Sequence, residues 1–189
     1  MNYKVIKEEL AYKGFFKIRK DIVEVDRFKG DTITKTVEVF ERGDSVAILL
    51  KERDTGTFLF TNQFRYPTAQ KDKGWILELP AGSIEQDEDS KECVNREVEE
   101  ELGYVLNDAP MFISKFYVSP GGSSERIHLY YCEVTSRDKI YDGGGLEEES
   151  EDIELVKLDI DEAIKAIGDK IIDAKSIIAL QWYQLHKKK

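Results

Sequence analysis

Apolar and polar residues alternate in patches through residues 3–40, the period-two pattern of half-exposed β-strands. Lys29-Gly30 interrupts the pattern as a turn. These residues read as an N-terminal β arm (residues 1–40) in front of a main domain (residues 41–189), not as a separate fold. Further strands are expected at Ser45–Lys51, Thr57–Phe64, Ile76–Leu79, Met111–Val118, Ile127–Val134 and Ile153–Leu158. Apolar residues then recur at helical spacing over Ile160–Ile167 and again over Asp173–His186, where three closing lysines suit a helix C-terminus. No repeat or low-complexity linker breaks the chain. Strands interleaved with helices argue for a layered α/β arrangement.

Between Leu79 and Met111 the pattern changes. Gly82 to Tyr104 holds nine acidic residues against two basic ones, a density that repels itself unless a cation is nearby. Asp89 or Ser90 can cap a helix here, with Glu92 three residues after Asp89 as in a capping box, and Gly103 is placed to stop it. At about 100° per residue, Glu97, Glu100 and Glu101 share one face, while Val94, Val98 and Leu102 form a neighbouring apolar stripe. One helix thus buries one side and offers three carboxylates on another. Oxygen ligands of this kind suit Mg²⁺, which keeps several waters and holds substrate phosphates. The common meaning of such a run is a solvated acidic face. An EF-hand is excluded, because the required Gly and the Asp/Asn alternation are missing.

The spacing favours the metal. Gly82, Glu88, Arg96-Glu97-Val98, Glu100-Glu101 and Gly103 together resemble the Nudix box in full, with Tyr104 standing where the family more often has an aliphatic residue. The resemblance implies an α/β/α sandwich with a mixed sheet, the box forming a loop–helix–loop. It implies Mg²⁺-dependent attack of water on a nucleoside diphosphate linked to another moiety, with Mn²⁺ as a substitute ion. It makes Glu97 and Glu101 the main metal ligands, with Glu100 assisting and the Ala81 carbonyl joining them. Glu88 and Arg96 become a structural ion pair that holds the loop on the helix, and Gly82 and Gly103 the glycines of the motif.

Composition narrows the classes further. A formal net charge of −10 leaves no basic footprint for nucleic acid. No apolar run approaches the length that spans a bilayer, and Met-Asn-Tyr-Lys does not read as a secretory leader. A cytoplasmic protein is expected, with Cys93 and Cys132 as buried thiols. Cys93 lies one turn before Glu97, but thiolates suit softer metals than Mg²⁺. His128 and His186 are expected to be structural.

Three features outside the box bear on the substrate. Ser119-Pro120-Gly121-Gly122 makes a tight turn whose backbone N–H groups can cradle phosphate or ribose. Pro120 falls sixteen residues after the box, as in the ADP-ribose and ADP-sugar pyrophosphatase branch, whose pattern places an acidic substrate contact at Glu125. Gly143-Gly144-Gly145 reads as a flexible hinge that can swing the following acids over the metal. In similar enzymes this loop supplies the general base and one more metal ligand. Matching Glu149-Ser150-Glu151-Asp152-Ile153 puts the base at Glu149 and the ligand at Glu151, with Glu147 and Glu148 as competitors for the base. Finally, Arg42 and Arg65 can hold a diphosphate through their planar forks, and Phe15 and Phe16 can stack on a base. In similar enzymes the arm crosses to a partner subunit, and a basic or aromatic residue precedes Glu38; here that residue is Val37. Ser176 to Trp182 also resembles this branch, so the resemblance covers nearly the whole chain, strongest from Glu41 onward. The expectation is a homodimeric enzyme acting on a small nucleoside diphosphate sugar and cleaving ADP-ribose to AMP and ribose 5-phosphate. A GDP-mannose or broad nucleoside diphosphate sugar pyrophosphatase is the alternative, since both branches share these loops. A Nudix module that binds without hydrolysing usually lacks box glutamates, and this chain keeps them.

Overall fold

A computed structural model of the protein describes residues 1–187; two of the three closing lysines, Lys188 and Lys189, lie outside them. The chain divides into two compact units, Met1–Asp44 with Tyr117–Arg126, and Ser45–Phe116 with Ile127–Lys189.

The first unit is an antiparallel sheet of β1 (Tyr3–Lys7), β2 (Leu10–Lys13), β3 (Lys17–Asp26) and β4 (Thr32–Glu41). β3 is its axis: β4 pairs along its whole length, from Lys17↔Glu41 to Asp26↔Thr32, while β1 and β2 share the other edge. The turn between β3 and β4 uses Gly30 at φ +89°, a conformation that costs glycine nothing. Among the arm strands only Asp21 is buried, held by Arg19 and by the Glu9 N–H, while Tyr3, Leu10, Tyr12 and Phe15 stay exposed. The Tyr117–Arg126 segment belongs to this unit through backbone bonds from Phe40 to Gly122 and from Ser124 to Phe40, and through an Arg126–Asp44 ion pair at 2.6 Å.

The second unit holds a seven-stranded sheet of β5 (Ser45–Glu52), β6 (Thr57–Phe64), β7 (Trp75–Glu78), β8 (Ala81–Ser83), β9 (Met111–Tyr117), β10 (Arg126–Val134) and β11 (Glu154–Asp159). β10 runs parallel to β5, whereas β5 pairs antiparallel with β6 and β8, and β6 antiparallel with β7 and β11, so the sheet is mixed. Strand alternation sorts its side chains onto two faces. Ala47, Leu49, Phe58, Phe60, Leu129 and Tyr131 point to one, against α3 (Ile160–Lys165) and α4 (Ala174–His186). Val46, Ile48, Leu50, Leu59, Tyr130 and Cys132 point to the other, against Cys93, Val94, Val98 and Leu102. β5 is therefore almost wholly buried and reads as a continuous apolar run, as a strand covered on both faces must. The result is the α/β/α sandwich that the sequence implies. Two short elements carry no clear pattern and escape the sequence reading: α1 (Tyr66–Ala69) and the three-residue β8.

β5 and β6 pair only at Leu50–Glu52 with Thr57–Leu59. Beyond that they part: β7 takes over β6 from Thr61, and β8 takes over β5 from Ala47. The chain between β7 and β8 crosses this fork, where the Ile48 N–H donates to the Pro80 carbonyl at 3.1 Å. No helix among the described residues is long and apolar enough to cross a membrane.

Candidate active site

The acidic helix begins at its cap and stops at Gly103 as expected, but its last turn differs. Asp89 caps α2 (Ser90–Glu97) by accepting from the Lys91 N–H, and Glu92 returns to the Asp89 N–H, completing the capping box. The next five residues, Val98–Leu102, wind as a π-helical turn instead of continuing the α-helix, and Gly103 closes it at φ +74°. The carbonyls of Glu100 and Glu101 accept from the Gly145 and Gly144 N–H groups, at 3.0 and 2.9 Å. The Gly-rich segment is thus docked on the end of the helix, a departure from the freely swinging hinge expected from three consecutive glycines. A Cβ on Gly143 would lie 2.6 Å from the Leu102 carbonyl carbon, so that glycine serves close approach of two backbones.

On this frame Glu99 is exposed while Glu97 and Glu100 are half-buried and Glu101 is only 2% exposed. Burial, reinforced by the charges of Glu100 and Glu151, pushes the Glu97 carboxyl up to about 7 against the pull of Arg96. Glu101 rises well above the ordinary carboxylate range, through burial first and then through Glu97, Glu151 and Glu78. The Ala81 N–H donates to Glu101 Oε2 at 3.1 Å, so Ala81 meets the site through its amide. Gly82 leaves room for Glu97: a Cβ there would lie 1.7 Å from Glu97 Oε1.

Arg96 holds both oxygens of Glu88, Nε at 2.9 Å and Nη2 at 3.2 Å, and lowers that carboxyl to about 2. The same guanidinium also reaches Glu97 at 2.7 Å and Glu100 at 3.1 Å, contacts that motif spacing alone did not suggest. Cys93 is buried and unbridged beneath it, its thiol pushed up by burial and by the Glu88 and Glu97 charges, as is unbridged Cys132 by burial. Tyr104, the departure from the motif, donates to the buried Glu52 at 2.5 Å, where Lys157 also binds at 2.7 Å. An aliphatic residue there would leave Glu52 one donor short.

Glu151 lies close enough to Glu97 and Glu101 for its charge to add to both shifts, with Oε2 accepting from the Leu146 N–H. Glu147, Glu148 and Glu149 form an exposed 3₁₀ turn before Ser150, which takes a left-handed conformation at φ 59°. Arg65 donates through Nε to Glu78 at 2.7 Å. Sequence reasoning missed Glu78, although a signal exists: it shares the inward side of β7 with Ile76. It also missed Asp173 and Lys175, which no local pattern marks.

In the first unit, Phe15, Lys17, Glu41, Arg42, Gly43 and Ser124 line a cleft of about 440 Å³. Phe15 is 96% exposed there, and Phe16 packs edge-on between Phe15 and Phe40. Arg42 faces Glu125 at 3.7 Å and the Phe16 ring at 5.6 Å. Glu38, Ser119, Pro120 and Gly121 are exposed. The turn uses its Gly122 and Ser123 N–H groups internally, on the Ser119 carbonyl, so those two are not offered outward as a phosphate cradle.

The ligand atoms that Glu97, Glu101 and Glu151 offer are all oxygen, and the first two carboxyls are raised by burial and then by neighbouring negative charge, which a hard divalent ion offsets. Among the described residues no three acidic, imidazole or thiol groups stand arranged to hold an ion without adjustment. The fit lies in the donor set.

A family model, NUDIX domain, matches residues 41–180. The chain belongs to the Nudix family. This Nudix hydrolase is 39% identical over 184 residues to a protein named GDP-mannose pyrophosphatase from Yersinia enterocolitica, covering 96% of the chain and 94% of the relative. Proteins of the same name from Pectobacterium atrosepticum and Cronobacter sakazakii are 35% and 32% identical, covering 94% and 98% of the Nudix chain and 91% and 96% of their own. A crystal structure described as an ADP compounds hydrolase superposes with a TM-score of 0.76 at 18% identity, covering 98% of this chain and 94% of its own. That likeness shows a shared fold.

Proposed function

We propose that the chain is a nucleoside diphosphate sugar pyrophosphatase that prefers GDP-mannose, releasing GMP and mannose 1-phosphate, with ADP-ribose as the second substrate. The reading is carried by the similarity to GDP-mannose pyrophosphatases, which runs almost the full length of the chain. It reverses the order of substrates drawn from the loop motifs alone. Those motifs are shared by both branches, and Val37 lacks the basic or aromatic group that would favour adenine.

Glu97, Glu101 and Glu151 would hold the metal, Mg²⁺ or Mn²⁺, with Glu100 and the Ala81 backbone in support. When bound, the metal would supply charge neutralisation at the diphosphate and a more acidic water. The remaining steps belong to the chain. Arg65 holds the diphosphate by its fork. Glu149 takes the proton from the attacking water on a carboxylate oxygen as water adds to phosphorus and the P–O–P bond breaks. Phe15, Phe16, Glu38 and Arg42 serve the nucleoside and Ser119, Pro120, Gly121 and Glu125 the rest of the substrate, with the arm reaching a partner subunit in a homodimer.

The test is hydrolysis of GDP-mannose and ADP-ribose in parallel with Mg²⁺, following GMP and AMP. A higher kcat/KM for GDP-mannose is expected, and a clear preference for ADP-ribose would reverse the reading. Glu149→Gln is expected to lower kcat by about 10²–10⁴-fold, the usual worth of a general base. Near-wild-type turnover in that variant, with Glu147 or Glu148 variants inactive, would move the base.

A further inference from the structure

The first turn of α4 carries a half-buried lysine that the chemistry above does not use. Lys175 Nζ donates to Glu78 Oε2 at 2.8 Å and to Asp173 Oδ1 at 2.8 Å. Asp173 is itself fixed as the cap of α4, accepting from the Ser176 N–H at 3.0 Å and the Ser176 hydroxyl at 2.7 Å. The other Glu78 oxygen accepts from Arg65 Nε at 2.7 Å. Four charged groups therefore form a row, Asp173–Lys175–Glu78–Arg65, in which the charges alternate in sign. The Glu78 and Lys175 side chains are 7% and 15% exposed, whereas Arg65 is 39% exposed. Glu78 is the most buried member of the row, and the guanidinium is its exposed end.

We infer that Lys175 is a positioning residue for diphosphate recognition: by occupying one oxygen of Glu78, it restricts Arg65 to a single bond through Nε and leaves the Nη edge of the guanidinium for phosphate oxygens. A carboxylate with both oxygens available takes an arginine in a two-bond fork, which is the stronger arrangement. Glu78 is buried and has every reason to take it, since an uncompensated buried carboxylate is costly. Lys175 removes that demand. It also balances Glu78 beside Glu101, whose carboxyl already feels the Glu78 charge. The role rests on the proposed use of Arg65 on a diphosphate but not on which nucleotide sugar is cleaved.

The experiment is a double-mutant cycle with Lys175→Met, Glu78→Gln and the pair, plus Lys175→Arg. Affinity for inorganic pyrophosphate with Mg²⁺ is read by calorimetry, alongside KM and kcat for GDP-mannose. Lys175→Met is expected to weaken pyrophosphate binding and raise KM about tenfold, a change of about 1.4 kcal/mol, with kcat changed less. Glu78→Gln replaces the charged acceptor of Arg65 Nε by a neutral amide oxygen, weakens the anchor and is expected to do the same. Because Lys175 acts only through Glu78, the pair is expected to match Glu78→Gln within about twofold instead of multiplying the losses. Lys175→Arg keeps the cation and is expected to bind pyrophosphate within about threefold of the wild type. Unchanged pyrophosphate affinity in Lys175→Met, multiplicative losses in the pair, or a wild type that does not bind pyrophosphate would each overturn the inference. If Lys175→Met does not fold, comparing Glu78→Gln with the pair, which leaves no buried unpartnered carboxylate, decides it. A wild type that binds pyrophosphate but cleaves neither nucleotide sugar would sink the substrate reading alone.

Discussion

Two side chains decide how the acidic site responds to protons and to crowding. Glu97 and Glu101 have carboxyls raised above the usual 4.5, Glu97 to about 7. A raised folded-state value means that the protonated form is favoured in the fold. For Glu97 the stability this contributes is fully present below the unfolded value and is lost as pH rises through about 7. Metal and proton therefore compete for the same oxygens. Mg²⁺ is expected to raise the melting temperature of chelator-treated protein more at pH 8 than at pH 5.5. Equal increments in a thermal melt at both pH values would contradict this. Gly82→Ala tests the same carboxylate by size. The added methyl would occupy the place of Glu97 Oε1, 1.7 Å away, and the flexible carboxylate can only yield by leaving its position. The fold is expected to survive, while kcat falls by about 100-fold, the order of loss for a displaced catalytic group.

The acidic helix as an element separates what a sequence carries from what it does not. Its start is local: Asp89 and Glu92 satisfy backbone groups three residues apart, and Asp89→Ala is expected to cost about 1 kcal/mol, seen as a melting point about 2–4 °C lower with activity largely kept. Its acidic face and apolar stripe were legible from spacing, as were most strands, because alternation survives wherever a sheet has two unlike faces. The π-helical turn was not legible, since it is held open by partners more than forty residues away, Gly144 and Gly145. Glu78, Lys175 and the second set of contacts made by Arg96 escaped for the same reason. Their meaning comes from neighbours brought together by the fold. Gly143→Ala probes that distant contact. Its methyl would press on the Leu102 backbone, and kcat is expected to fall about tenfold or more as Glu151 loses its place. A variant with wild-type turnover would mean that the loop acts without docking.

For the whole molecule, the proposed partner contact of the arm, whose apolar residues are exposed, predicts a dimer, and light scattering is expected to give about twice 21.8 kDa. A monomeric mass at micromolar concentration would remove the arm from the proposed site. The division of the chain into Met1–Asp44 with Tyr117–Arg126, and the rest, has a further consequence. Asp44 and Arg126, paired in the folded arm, are 82 positions apart, and next to them β5 and β10 pair in parallel from Ser45↔Ile127. The first unit is not complete until the chain has reached the 120s, although the arm is made first, and the second still needs β10, β11, α3 and α4 beyond them. Pairings so distant are slow to find. On the ribosome the arm therefore waits, with its apolar strands uncovered, for the segment that finishes it, and the yield of native protein depends on how long that wait lasts.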